Sequence, residues 1–165
     1  MEHSYQAEGL LVVARTYFEK GFEAQRQGDF VAALGCYQKS IETRASAEAY
    51  CYMGWTYSFL GQYEKAIRAC MKAIEVDPDF GNPYNDIGAY LIEMGRYEDS
   101  LPWLRKATRA QRYECAHYPW YNMGKVYERT GNLGRARDAY ARALHVYRGY
   151  PLAVEALIRV LAALN

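Results

Sequence analysis

Apolar positions recur along this chain in two helical registers separated by a short polar break. Tyr50, Met53, Gly54 and Tyr57 fall at i, i+3, i+4 and i+7, the stripe of an amphipathic helix. Leu60-Gly61-Gln62 interrupts it, with Gly61 suited to a left-handed cap. Tyr63, Ala66, Ile67, Cys70 and Ile74 form a second stripe. It stops at Asp77-Pro78, because a residue before proline is pushed out of the α region. This stretch predicts a helix, a tight turn and a second helix, and RQGDF, EMGRY and RTGNL predict the same turn elsewhere.

Gly21, Gly54, Gly88 and Gly124 bring four copies into register, at spacings of 33, 34 and 36 residues. Four residues before each stands an aromatic: Tyr17, Tyr50, Tyr84 or Trp120. Seven after comes Gly28, Gly61, Gly95 or Gly131, and twelve after a small residue, Ala33, Ala66, Ser100 or Ala136. Such a period predicts a stacked array of supersecondary units. Glycine inside a helix costs about 1 kcal/mol relative to alanine. Its recurrence predicts close helix contact, with Gly21/Ala33, Gly54/Ala66, Gly88/Ser100 and Gly124/Ala136 as the expected pairs.

Tyr50-x2-Met53-Gly54-x2-Tyr57, Ala66-x3-Cys70 and Pro78 resemble the tetratricopeptide repeat, as do Trp120-x2-Met123-Gly124-x2-Tyr127 and Ala136-x3-Tyr140. Tyr17-x2-Lys20-Gly21 with Ala33-x3-Tyr37, and Tyr84-x2-Ile87-Gly88-x2-Leu91 with Ser100-x3-Leu104, are looser copies. The resemblance implies an all-α, right-handed α-solenoid of antiparallel helix pairs, with about nine helices. It implies a single domain over 1–165, with repeats at 14–46, 47–80, 81–114 and 117–150 and a last helix at 151–164. The repeat-ending proline is present only as Pro78; Ala45, Arg112 and Arg148 stand in the equivalent places. The longer gap between Gly88 and Gly124 predicts an extended helix end or an irregular linker at RAQRYECAHYP. Pro102, early in the third unit's second helix, removes one backbone hydrogen bond if it lies beyond the first turn.

In this family the first helices line a groove that holds an extended peptide or a partner's helix. The positions that would line it here include Phe18, Phe22, Tyr52, Trp55, Phe59, Asn85, Asp86, Tyr118, Tyr121, Asn122 and Lys125. The five N-terminal aromatics lie outside the packing signature, and contiguous exposed apolar surface marks an interaction site. The competing expectation is that these rings bury one another, or lie under residues 1–13. Asn85 and Asn122 are expected to clamp a peptide backbone, since an amide both donates and accepts. Relatives that grip a C-terminal carboxylate need cations in the groove. Phe18, Phe22, Tyr52, Asn82 and Asp86, or one unit on Cys51, Trp55, Asp86, Tyr118 and Asn122, supply none.

Twenty Lys+Arg against nineteen Asp+Glu leave a net charge of +1, which gives no global field for nucleic acid or anionic membrane. Basic residues do gather toward the C-terminus: Arg105, Lys106, Arg109 and Arg112, then Arg135, Arg137 and Arg142. They read as a solvated face, with no aromatics interleaved along it, so no nucleic-acid partner is expected. No apolar run is long enough to span a membrane, and the opening MEHSYQAEGLLVVAR is acidic where a signal peptide is basic. The expected location is cytoplasmic. Cys36, Cys51, Cys70 and Cys115 lack metal-ligand spacing and read as buried thiols.

In PLAVEALIRVLAALN, Ala153, Leu157, Val160 and Leu164 are expected to cover the fourth unit. Val154, Ile158 and Leu161 face where a hairpin partner would lie. That stripe predicts a cover: a homodimer through residues 151–164, another protein, or further sequence. His3, His117 and His145 are scattered, and no phosphate loop, HExxH or GxSxG occurs, so neither an enzyme nor a cofactor or metal site is expected. The expected function is a non-enzymatic adaptor or scaffold binding a peptide or helix of a partner in an aromatic groove. The alternatives are a scaffold self-assembling through its C-terminal helix, a secretion-type chaperone, and a regulatory domain detached from a larger enzyme.

Overall fold

The computed structural model describes residues 2–165, with side chains from residue 6 onward. The described residues form nine α-helices: α1 (Glu2–Arg26), α2 (Phe30–Thr43), α3 (Ala47–Phe59), α4 (Tyr63–Val76), α5 (Asn82–Glu93), α6 (Tyr97–Ala107), α7 (His117–Arg129), α8 (Leu133–Val146) and α9 (Pro151–Leu164). They fall into two compact units that divide after Pro78. The first holds the pairs α1/α2 and α3/α4; the second holds α5/α6, α7/α8 and α9. His3 lies outside the residues with described side chains.

The four turns between paired helices share one mechanism. Gly28, Gly61, Gly95 and Gly131 all take φ between 68° and 81°, where a side chain would be strained. The next residue's N–H then reaches back five residues, as when Asn132 donates to the Tyr127 carbonyl at 2.8 Å. Side-chain caps secure several helix starts: Asp29 accepts from the Ala32 N–H, Ser46 from Ala49 and Asn132 from Arg135.

Glycines within the first helices mark close packing. A Cβ on Gly124 would lie 2.4 Å from the Tyr140 ring, one on Gly88 2.5 Å from Leu104, and one on Gly21 2.8 Å from Tyr37. The expected partners are corrected by one helical turn: the tightest contact is with the residue four beyond Ala33, Ser100 and Ala136. Only Gly54 meets its expected partner first, the Ala66 carbonyl at 3.0 Å. The small residues are still required, being fully buried in the same seams.

Pro102 is the sixth residue of α6, past the first turn, and α6 has 11 residues where α2, α4 and α8 have 14. The linker that follows closes back on the start of its own unit. Arg112 donates its N–H to the Asp79 carbonyl and the Gly81 N–H donates to the Arg112 carbonyl, each at 3.0 Å. The Arg112 guanidinium sits 4.2 Å from the Phe80 ring centre. Of the cysteines, Cys51 and Cys70 are buried, whereas Cys36 and Cys115 are half-buried, a departure from the expected four. No described helix is long and apolar enough to cross a membrane.

Candidate functional site

In the first unit, α1 and α3 bring all five expected aromatics into one ladder. Phe18 and Phe22 each meet Tyr52 edge to face, with ring centres 5.1 and 5.7 Å apart. Tyr52 meets Trp55 at 5.7 Å, Trp55 meets Phe59 at 5.6 Å, and Phe59 stacks on Phe30 at 5.2 Å with planes 10° apart. Edge-to-face and offset pairs suit the ring quadrupoles, so the set is held in fixed orientation. Phe18 and Tyr52 are half-buried, while Phe22, Trp55 and Phe59 remain 38, 44 and 52% exposed. The rings therefore support one another without closing off the surface.

Beneath the ladder lies a polar anchor that sequence reasoning missed. Gln25 Oε1 accepts from the Tyr37 hydroxyl at 3.0 Å and from Thr56 Oγ1 at 2.8 Å, and all three residues are buried. Burial, with smaller contributions from Tyr52 and Cys36, pushes the Tyr37 hydroxyl well above the ordinary phenol range, so it stays a donor. Tyr37 also touches Phe18 and Tyr52, which ties the ladder to this anchor.

In the second unit, α5 and α7 carry the polar positions. Asn85 and Asn122 are 8 and 9% exposed, and Asn122 donates to Asn85 at 3.1 Å. The two amides thus form a cross-helix pair, in which one Asn122 N–H and the Asn85 oxygen are turned to each other. Asp86 is half-buried beside Asn85, and Lys125 reaches Glu93 at 3.8 Å. Tyr118 and Tyr121 join His117, Tyr147 and Tyr150 in a second aromatic cluster, with ring centres 4.2–6.3 Å apart. Burial lowers the His117 pKa and, with Tyr121 and Tyr118 nearby, raises Tyr150 to about 12.

Tyr121 and Lys125 also line a hollow of about 360 Å³ with Glu128, Arg129 and Arg159. Arg159 of α9 grips Glu128 of α7 through two bonds of 2.7 and 2.9 Å, and the Tyr140 hydroxyl donates to the same carboxylate at 2.7 Å. Arg159 foremost, then Tyr140, hold this carboxyl below its ordinary pKa. On α9, Ala153, Ala156 and Val160 are buried. Leu164, expected to cover the fourth unit, is exposed instead, and Ala156 contributes in its place. Val154, Ile158 and Leu161 lie exposed, as do Leu10, Leu11, Val12 and Val13 on α1.

Paired helices with a left-handed glycine in every hairpin turn and a glycine seam inside every pair define a helical repeat protein. The chain belongs to the tetratricopeptide repeat family, whose profiles match residues 47–80, 69–101 and 117–150. It is 31% identical over 90 residues to the small glutamine-rich tetratricopeptide repeat-containing protein 2 of Mycosarcoma maydis, covering 54% of this chain and 26% of that protein. It spans only 12 and 16% of two other relatives at 27 and 30% identity. Among solved structures it is similar to Pseudomonas aeruginosa pilF, with a TM-score of 0.87 at 20% identity over 94% of this chain and 70% of that one. It is also similar to YrrB, described as a tetratricopeptide protein with an unusual peptide-binding site, with a TM-score of 0.70 at 18% identity over 87 and 73%. These likenesses establish an all-α tetratricopeptide solenoid.

Proposed function

We propose that the chain is a non-enzymatic protein-binding module that takes apolar side chains of a partner peptide or helix on the α1/α3 aromatic ladder. The observation that carries this reading is the exposure of Phe22, Trp55 and Phe59 within a ring network that fixes their orientation. Rigid aromatics contribute large contact area with little side-chain entropy to lose, the chemistry of interface hot spots. The peptide-binding description of YrrB supports the same kind of ligand. The second unit offers its own set of contacts, Tyr118, Tyr121 and Lys125 with Asp86 and the Asn85–Asn122 pair. The test is selection of binders from a displayed random-peptide library, followed by affinity measurement against wild type and Trp55→Ala/Phe59→Ala. Loss of at least tenfold in affinity is expected; equal affinity for both proteins removes the ladder as the site.

A second reading, self-association through α9, is favoured by the exposed stripe Val154, Ile158 and Leu161. Light scattering on wild type and Ile158→Glu tests it. A dimer reduced to monomer supports it, and a mass unaffected by the substitution rejects it.

A further inference from the structure

The second unit also holds a cleft of about 520 Å³ between α6, α7 and α8. Four guanidinium groups converge on it: Arg105 and Arg109 from the end of α6 and the turn beyond, and Arg135 and Arg142 from α8. Its floor is apolar, made by Trp120 and Met123 of α7 with Ala139 of α8. Aromatics are therefore interleaved with this basic face after all. They were invisible along α6 and α8 because Trp120 and Tyr127 come from α7.

Two of the cations are held in place by rings, Arg142 at 4.8 Å from the Trp120 centre and Arg135 at 5.8 Å from Tyr127. Neither Arg105 nor Arg109 has an acidic partner among the described residues. The cleft's one carboxylate, Asp138, pairs with Arg137 at 2.8 Å. Like charges gathered round one hollow repel each other, and the cleft's carboxylate is already paired with Arg137, outside the four. An incoming anion offsets that repulsion.

We propose that this cleft binds an acidic segment of a partner protein, with its Asp and Glu carboxylates on the guanidinium rim. The planar guanidinium fork matches a carboxylate through two parallel hydrogen bonds. A nucleic acid fits less well. Its bases need open ring faces to stack on, and here guanidinium groups lie over Trp120 and Tyr127. The cleft is also a bounded hollow rather than a track, on a chain of net charge +1.

The test is fluorescence anisotropy of the full chain with a labelled peptide of alternating Asp and Glu. Its Asn/Gln counterpart and an oligouridylate of equal charge serve as comparisons. The acidic peptide is expected to bind at least about tenfold more tightly than either. Arg105→Glu/Arg109→Glu should abolish that preference. Arg68→Glu/Lys72→Glu, an equal change of charge on the other unit, should preserve it. Circular dichroism verifies that both variants fold. Absence of peptide binding, equal loss in both variants, or tighter binding of the oligouridylate overturns the proposal.

Discussion

Replacing Gly124 with alanine adds one carbon to a seam that has no room for it. The new Cβ would lie 2.4 Å from Tyr140 Cε1 and 2.5 Å from Cδ1, where carbon atoms ordinarily approach no closer than about 3.5 Å. The ring has little freedom to withdraw. Tyr140 is fully buried, and its hydroxyl is fixed to Glu128, which Arg159 holds in turn. Overpacking of this kind costs about 1–3 kcal/mol. Stretching a hydrogen bond to a charged acceptor adds about 1 kcal/mol, and alanine's better helix propensity returns about 1 kcal/mol. The expected net is a destabilisation of about 2 kcal/mol. At Gly54 the added carbon meets its nearest neighbours at 3.0 and 3.1 Å, so Gly54→Ala should cost clearly less. Urea unfolding followed by far-ultraviolet circular dichroism reads both. In a Tyr140→Ala background the Gly124→Ala penalty should shrink, because the obstructing side chain is gone. A Gly124→Ala protein as stable as wild type, or equal penalties at the two glycines, would refute the reasoning.

Gln25→Leu, although apolar, should destabilise the first unit by about 2 kcal/mol, because Tyr37 loses its buried acceptor while Thr56 keeps the Tyr52 carbonyl. The same substitution in a Tyr37→Phe background should cost much less, and an unchanged penalty by urea unfolding argues against that cause. Glu128 has its carboxyl pKa depressed below the ordinary 4.5, so it contributes stability that is present above that value and lost as pH falls through the folded one. Glu128→Gln should lower stability at neutral pH by about 1 kcal/mol and flatten the acid limb of a thermal-melt series. His117 is also depressed, so the unfolded chain takes up its proton first as pH falls below 6.5, and stability declines from there. His117→Phe should remove that decline while Glu128→Gln leaves it intact; a single shared pH window for both variants contradicts the two assignments.

Features set by local chemistry were legible in the sequence. A glycine seven residues after another, followed by a polar residue, announces a left-handed turn, and Gly28, Gly61, Gly95 and Gly131 all adopt one. The aromatic set Phe18, Phe22, Tyr52, Trp55 and Phe59 followed from the repeat register, although the order in which the rings touch did not. Relations across helices were harder, because they depend on how each helix is rotated about its axis. Asn85 and Asn122 are 37 residues apart, and Glu128 and Arg159 are 31 apart. Nothing in the spacing says that the first two would bond to each other or that the second two would fasten α9. The glycine seam was misplaced by one turn for a related reason. A helical side chain leans toward the N-terminus of its own helix, so Tyr140, rather than Ala136, reaches back over Gly124.

The bridge between Asp79–Gly81 and Arg112 bears on how the array tolerates change. Residues 108–116 leave α6 and return to the start of their own unit before α7 begins, so the segment is a closed eyelet hung on the helices. Extra length there is taken up outside every helix seam, whereas an insertion beside Gly95 or Gly131 would shift a whole helix against its partner. Variation in chain length beyond Tyr113 is therefore better tolerated in this unit than variation in a hairpin turn. An epitope or fluorophore grafted between Tyr113 and His117 would report on the protein while leaving Arg109, the Arg112 bridge and the register of the repeats in place.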